Sequence, residues 1–484
     1  MNRSFPLALA LAIGVPTSLP AETPKIVATT IHQPGTLTGE VSIRGGTYRY
    51  QAEVGEIPIH DDRGGVLATM SYTSYVVPDR RSAARPVTFL FNGGPLVATI
   101  ALREGVGPIR TAPGTQRGEY RYEANPDSLL DQSDLVFIDA PGTGYGRFLT
   151  QDAKAKVWGV EQDLGAFAQF VQQWLSANGR QEAPVYLMGE SYGGLRAALL
   201  ATTLEGKVPL QGVVLVSPAF SAGEIGMFGG IDPAVLNLPT QAAIARFHEL
   251  GAYRHLTIEE VAAKAETFAS GRYADALRHR SALTTRETRA LALELAAFTG
   301  LSADAIIKSG LRIEGFADAL IPGDRVGNED GRARAPLAEV ASLPPPFDQP
   351  DSSMARDTYD RTAALDSLFR YGFRYRPENS FVYLSLEANR QWDMKVTGGS
   401  VLAPSALKAL ANRSQRFRVF LMGGYFDAAA PYGGPLAGYN AAKLPRNRFT
   451  QRAYEAGHAI FSDQYARVAA SDELRRWYAA GAYP

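Results

Sequence analysis

Val185-Tyr-Leu-Met-Gly-Glu-Ser-Tyr-Gly-Gly194 is the stretch on which the reading of the fold turns. Its first four residues are apolar without alternation, the pattern of a strand buried on both faces. Leu195 to Leu204 then reads as a helix. Between them Gly189-Glu-Ser-Tyr-Gly193 must turn the chain sharply. Side chains on either side of the serine would collide at such a bend, so small residues are needed there, and Gly189 and Gly193 supply them. The bend lifts the Ser191 hydroxyl above the end of the strand. In a chain with 47 glycines the spacing alone would be an ordinary Gly-rich turn with an incidental serine. The strand before it and the helix after it are what give it meaning.

Similar runs lie on either side. Val87-Thr-Phe-Leu-Phe91, Leu135-Val-Phe-Ile138, Gly212-Val-Val-Leu-Val216 and Phe417-Arg-Val-Phe-Leu421 read as further strands. A helical stretch from Val157 to Leu175 places Val160, Leu164, Phe167, Phe170, Val171 and Trp174 on one face. Strands alternating with helices imply a parallel sheet. Residues 37 to 77 instead alternate apolar with polar between turn residues, the mark of antiparallel strands. From 222 to 375 the pattern becomes Ala/Leu/Arg/Glu-rich and helical, and strand-like sequence returns at Phe381-Val-Tyr-Leu384. The expected layout is a signal peptide at 1–21, a β-rich segment packed on the core at 22–84, and the first part of an α/β core at 85–221. A mostly helical cap insertion follows at 222–375, and the core resumes at 376–484.

The 484 residues contain 49 Lys+Arg and 49 Asp+Glu, a formal charge of zero. Without surplus cations a nucleic-acid partner is not expected. The absence of cysteine excludes disulfides, thiolate catalysis and Cys-based metal sites. The six histidines are not spaced for metal binding, and no metal or cofactor is expected. Asn2-Arg3 followed by the apolar run Phe5 to Val15 and by Leu19-Pro-Ala21 resembles a secretory signal, too short to span a bilayer. Export to a bacterial periplasm or medium, without stable membrane insertion, is the expectation. The oligomeric state is not readable.

A serine hydroxyl needs a base and an orienting acid to become a nucleophile. On α/β-hydrolase sheets these follow in the order Ser, acid, His, each on a loop after a strand. Asp427 follows the 417–421 strand through Gly423-Gly-Tyr-Phe, and His458 follows a late strand pattern at Tyr454-Glu-Ala-Gly457. The histidines at 248, 255 and 279 fall in the helical insertion. An oxyanion hole needs two backbone N–H groups. Tyr192, next to the nucleophile, and Gly94, in Asn92-Gly-Gly-Pro95 after the 87–91 strand, are the expected donors.

These segments together resemble the serine carboxypeptidase family, particularly its bacterial members. The likeness lies in Arg85-Pro-Val-Thr-Phe-Leu-Phe-Asn-Gly-Gly-Pro95, Asp134 to Tyr145, Gly189 to Gly194, Gly424-Tyr-Phe-Asp427 and Ala456-Gly-His458. Gly327 to Arg332 also resembles a bacterial cap-region motif. The resemblance implies an α/β-hydrolase fold and release of C-terminal residues from peptides that carry a free carboxylate. It implies a triad of Ser191, Asp427 and His458, and an oxyanion hole of Gly94 and Tyr192. Asn92, Gly93 and Glu190 would bind the substrate carboxylate. Two carboxylates repel, so Glu190 would have to be protonated to donate, which favours acidic pH. Three departures touch recognition. Leu96-Val-Ala98 follow Pro95 where the family has Gly and small polar residues. Gly105 stands where many members have a glutamate, with Glu104 beside it, and Ala459 follows the histidine where Met is frequent. An esterase, amidase or acyltransferase on the same triad is the alternative, and a non-catalytic binding protein the second one.

Overall fold

The computed structural model describes residues 31–78, 84–113, 120–218, 231–342, 351–353, 357–393 and 403–481. The expected signal segment at 1–21 lies outside the described residues. Thirteen strands occur among the described residues, in chain order β1 (Gly35–Ile43), β2 (Gly46–His60), β3 (Val66–Val76), β4 (Val87–Phe91), β5 (Ile109–Pro113), β6 (Tyr120–Ala124), β7 (Asp134–Asp139), β8 (Val185–Glu190), β9 (Leu210–Val216), β10 (Asp324–Val326), β11 (Arg334–Pro336), β12 (Arg418–Gly424) and β13 (Phe449–Tyr454). Nine build one sheet in the order β1-β2-β3-β7-β4-β8-β9-β12-β13, while β5–β6 and β10–β11 are separate hairpins.

The period of two in the sequence explains both faces of this sheet. Phe89, Leu187, Val213 and Leu215 point to one apolar cluster, while Leu90, Tyr186, Val214 and Phe420 point to another. The helices Val160–Ala177 and Tyr192–Thr203 cover the first face, and Gln464–Ala479 covers the second. Covered twice, β4, β7 and β8 are buried at every residue. β1 to β3 are antiparallel to one another and β3 is antiparallel to β7. From β7 to β13 all neighbours are parallel. The strand order reverses at β4: the chain passes to β7 on one side, then to β8 on the other. The crevice outside the carboxyl ends at such a switch is where open α/β sheets bind ligands. The topology is an α/β-hydrolase fold.

Within residues 37 to 77, Tyr48–Tyr50 and Ile57–Ile59 lie in one long strand, β2. Two local expectations change. Phe381–Leu384 adds no strand to the sheet. Val382 and Leu384 form isolated bridges to Gly144 and Val97, because this segment lies across loops at the sheet's carboxyl end. The end of the expected cap is partly helical but packs on the sheet. Leu365, Phe369, Phe373 and Tyr375 pack into the second-face cluster, with Tyr145 and Tyr75. The insertion otherwise is helical, with Pro233–Phe247, Ile258–Phe268 and Thr285–Thr299 around an apolar cluster of their own. Thr257/Glu260 and Thr284/Glu287 form capping boxes that start the latter two. No helix among the described residues is long and apolar enough to cross a membrane.

Trp174 is the largest fully buried side chain and meets Phe89 of β4 edge-on at 5.6 Å. Its indole nitrogen has no partner, so its whole contribution is packing. Trp174→Ala is expected to cost about 3–5 kcal/mol of stability by leaving a cavity. Denaturant unfolding followed by circular dichroism measures this, and a loss under about 1 kcal/mol would contradict it.

Candidate active site

Ser191 sits between β8 and the helix Tyr192–Thr203 with φ 61° and ψ −129°. Such a backbone costs a non-glycine residue about 1–3 kcal/mol, so the surroundings must hold it. The Ser191 N–H donates to the Val216 carbonyl of β9 at 3.0 Å, and the Gly194 N–H donates to the Ser191 carbonyl at 2.8 Å. A Cβ on Gly189 would lie 1.8 Å from the Gly193 carbonyl oxygen, so the bend closes only over glycine. Tyr192 opens the helix, where the first N–H groups have no acceptor within the helix.

Asp427 and His458 follow β12 and β13. His458 Nδ1 is 2.8 Å from Asp427 Oδ2, and Asp427 Oδ1 accepts the Ala430 N–H at 2.7 Å. Asp427 is fully buried. Ser191 and His458 line the same cleft of about 410 Å³, together with Asn92, Gly93, Gly94 and Glu190. The sequence-based residues therefore converge, with two of them behind the cleft wall: Asp427 reaches it through His458, and Tyr192 reaches it only from the start of its helix.

Glu190 is 3% exposed and accepts the Asn92 Nδ2–H at 2.7 Å through Oε1. Its Oε2 and the Asn92 Oδ1 are buried without a protein partner. Burial pushes the Glu190 carboxyl up to about 7. Glu329 and Asp427 add to this, and His458 and the Asn92 bond oppose it. For His458 burial works downward, but Asp427, Glu329 and Glu190 outweigh it and hold the imidazole well above its usual range. The acid preference implied by Glu190 alone thus meets a base that stays protonated at low pH.

The departures acquire physical reasons. A Cβ on Gly105 would stand 2.2 Å from Phe461 Cβ, so no glutamate fits there. Glu104 instead lines the cleft and accepts from the Thr111 hydroxyl. Leu96 and Ala98 are buried, because this segment pairs with 383–385: Ala98 N–H donates to the Tyr383 carbonyl at 2.8 Å and Ser385 N–H to the Leu96 carbonyl at 3.0 Å. Ala459 lines the cleft directly after His458.

Two residues escaped the sequence reading. Arg196 is buried one helical turn into the helix after Ser191. It donates to both Asp163 oxygens at 2.6 and 3.2 Å and to the carbonyls of Asn92 and Pro95 at 2.7 and 2.8 Å. One guanidinium fork thereby ties the Asn92–Pro95 loop to the nucleophile's helix. Its signal was a lone arginine in an otherwise apolar helix. The other is Glu329, whose Oε2 is 3.9 Å from His458 Nε2. It lies within the 327–332 motif, but nothing local announces its target.

A family model for serine carboxypeptidase matches residues 70–215. The resemblance holds over that stretch, which contains the Asn92–Pro95 loop and the Ser191 turn. Asp427 and His458 lie beyond it. No curated protein matches the chain. Among solved structures it is similar to a hypothetical protein from Pseudomonas aeruginosa PAO1, at 14% identity and TM-score 0.36 over 88% of this chain and 99% of that one. A peroxisomal alpha-beta-hydrolase from Saccharomyces cerevisiae is similar at 10% identity and TM-score 0.38, over 94% and 91%. A juvenile hormone epoxide hydrolase from the silkworm Bombyx mori is similar at 11% identity and TM-score 0.38, over 89% and 79%. The family match and the fold support a hydrolase.

Arg196→Met strips Asp163 of its partner inside the core and should cost about 3–5 kcal/mol. Adding Asp163→Leu removes the stranded carboxylate and should recover part of the loss. Denaturation midpoints of the two variants test the clamp, and a double variant no more stable than Arg196→Met would argue against it.

Proposed function

We propose that this protein is an exported serine carboxypeptidase-like hydrolase that removes C-terminal residues from peptides through an acyl-enzyme. The observation that carries the peptide reading is the buried Glu190–Asn92 pair: both residues line the cleft with Ser191, and each keeps one oxygen without a protein partner.

Ser191 Oγ attacks the scissile carbonyl as its proton passes to His458 Nε2. Asp427 keeps the imidazole in the right tautomer through Nδ1 and stabilises the imidazolium. The Gly94 and Tyr192 N–H groups receive the oxyanion. The protonated His458 then gives its proton to the leaving amine, the C–N bond breaks, and the acyl group stays on Ser191. Water repeats the sequence and releases the shortened peptide. The substrate's terminal carboxylate meets Asn92, Gly93 and Glu190. Because Glu190 Oε1 accepts from Asn92, a proton on Oε2 would make that oxygen the donor.

One observation favours a second reading, an esterase or amidase on the same triad. Phe461 occupies the space in which a second glutamate would stand at position 105. With fewer acid donors, a free carboxylate is a weaker demand on the substrate.

Export is supported by the Asn2-Arg3 and Phe5–Val15 segment. N-terminal sequencing of protein recovered outside the cytoplasm would show removal of that segment, and an intact Met1 there would oppose it.

Blocked dipeptides with free or amidated C-termini discriminate the two enzymatic readings. Below about pH 7 the free acid is expected to be cleaved at least tenfold faster. Equal rates would remove the exopeptidase reading. Above the Glu190 value of about 7 its carboxyl ionises and repels the substrate, so KM for free acids should rise with pH. Glu190→Gln keeps a donor at every pH and should flatten that rise. Ser191→Ala should abolish cleavage in all cases.

A further inference from the structure

Glu329 belongs to no established part of the site, yet the loop that carries it is fastened to both catalytic loops. The Asn328 carbonyl accepts the N–H groups of Ala428 and Ala429, each at 2.8 Å, directly after Asp427. The Glu329 carbonyl accepts the His458 N–H at 2.6 Å. Gly331 N–H donates to the Phe426 carbonyl at 2.8 Å, and His248 Nε2 of the insertion lies 2.8 Å from the Gly331 carbonyl. Asp351 Oδ2 fixes the loop from behind by accepting the Asn328 and Glu329 N–H groups at 2.7 and 3.1 Å. The backbone is therefore held, and the Glu329 side chain is aimed at one place. Its Oε2 lies 3.9 Å from His458 Nε2, the nitrogen opposite the Asp427 bond.

Resting on the serine-hydrolase reading, we propose that Glu329 is a positioning residue lent by the insertion, which competes with Ser191 for the outer nitrogen of His458. With the imidazole protonated, Nε2–H faces a carboxylate and the base is parked. Loss of that proton removes the attraction and frees Nε2 for the Ser191 hydroxyl. The charges around the pair agree with this. His458 is faced by Asp427, Glu329 and Glu190, and Glu329 by His458, Asp427 and Asp351. Arg332, three residues further on, is engaged by Asp330 and Asp463. The imidazole is thus the cation with which Glu329 is paired among the described residues. Burial raises the Glu329 carboxyl while His458 pulls it back, as expected of a pair that shares charge inside a cleft. The insertion would then set the pH at which the enzyme switches on, as well as helping to line the cleft.

The test needs no substrate. The rate of Ser191 labelling by a fluorophosphonate is followed from about pH 5 to 9 in the full chain and in Glu329→Gln. The wild type should show an acid limb above the ordinary imidazole range. Glu329→Gln should move that limb to lower pH by about one unit, giving up to tenfold faster labelling at about pH 6. Glu329→Asp, which withdraws the carboxylate, should fall between. A folded Glu329→Gln protein with an unmoved limb overturns the inference, and so does a uniform loss at all pH values. Direct titration of His458 by NMR reads the same shift without labelling. An unlabelled wild type with a Glu329-dependent imidazole titration would sink the hydrolase reading while keeping the pairing. An unchanged titration would sink the pairing alone.

Discussion

The bend at Ser191 is the constraint from which the rest of the site follows. A serine at positive φ is unfavourable by about 1–3 kcal/mol, and each backbone hydrogen bond returns only about 1 kcal/mol. The bend therefore survives because three strands enclose it. β9 supplies the Val216 carbonyl, β8 leads into the turn, and the end of β4 presses against Gly193, where a Cβ would be 2.7 Å from the Phe91 carbonyl oxygen. The close approach of β4 brings Asn92 and Gly94 to the nucleophile. The cleft lies at the switch point, and Glu329 and Asp330 of the insertion help to line it. Arg196 completes the arrangement by joining the Asn92 and Pro95 carbonyls to the helix that Ser191 begins.

Electrostatics adds a second layer. One imidazole faces three carboxyl groups in a cleft that excludes much of the water. Charges in such surroundings act on one another far more strongly than on a surface. Burial drives Glu190 and Glu329 toward their neutral forms, while His458 gains by staying charged. A proton placed on one member therefore changes the field at the others. The acid that would read a ligand carboxylate and the base that would activate Ser191 are coupled through space, without a shared hydrogen bond.

The legibility of this molecule in its sequence follows the range of the forces involved. Uninterrupted runs such as Val87–Phe91 and Val185–Met188 are local consequences of burial on both faces, and they became β4 and β8. The Ser191 turn was readable because its steric demand falls close by in sequence, on Gly189 and Gly193. Asp427 and His458 were readable because topology places strand ends at one edge. Phe381–Leu384 has the composition of a strand, but its partners are loops, which no periodicity encodes. Arg196 and Glu329 were opaque for the same reason. Each acts on groups more than 90 positions away: Arg196 on Asn92 and Glu329 on His458.

The exchange at Gly105 shows how such long-range terms bind a site together. Glutamate cannot occupy that position, because Phe461, three residues after His458, fills the space. A glycine at 105 and the packing of the histidine loop are thus one structural feature. On the opposite wall Glu329 brings a carboxyl from the insertion to the imidazole. The cleft is thus lined by Glu104 and Glu190 from the core as well as by Glu329 from the insertion. Changes in the Asn328–Arg332 loop would then alter the chemistry of His458 without touching Ser191, Asn92 or Glu190.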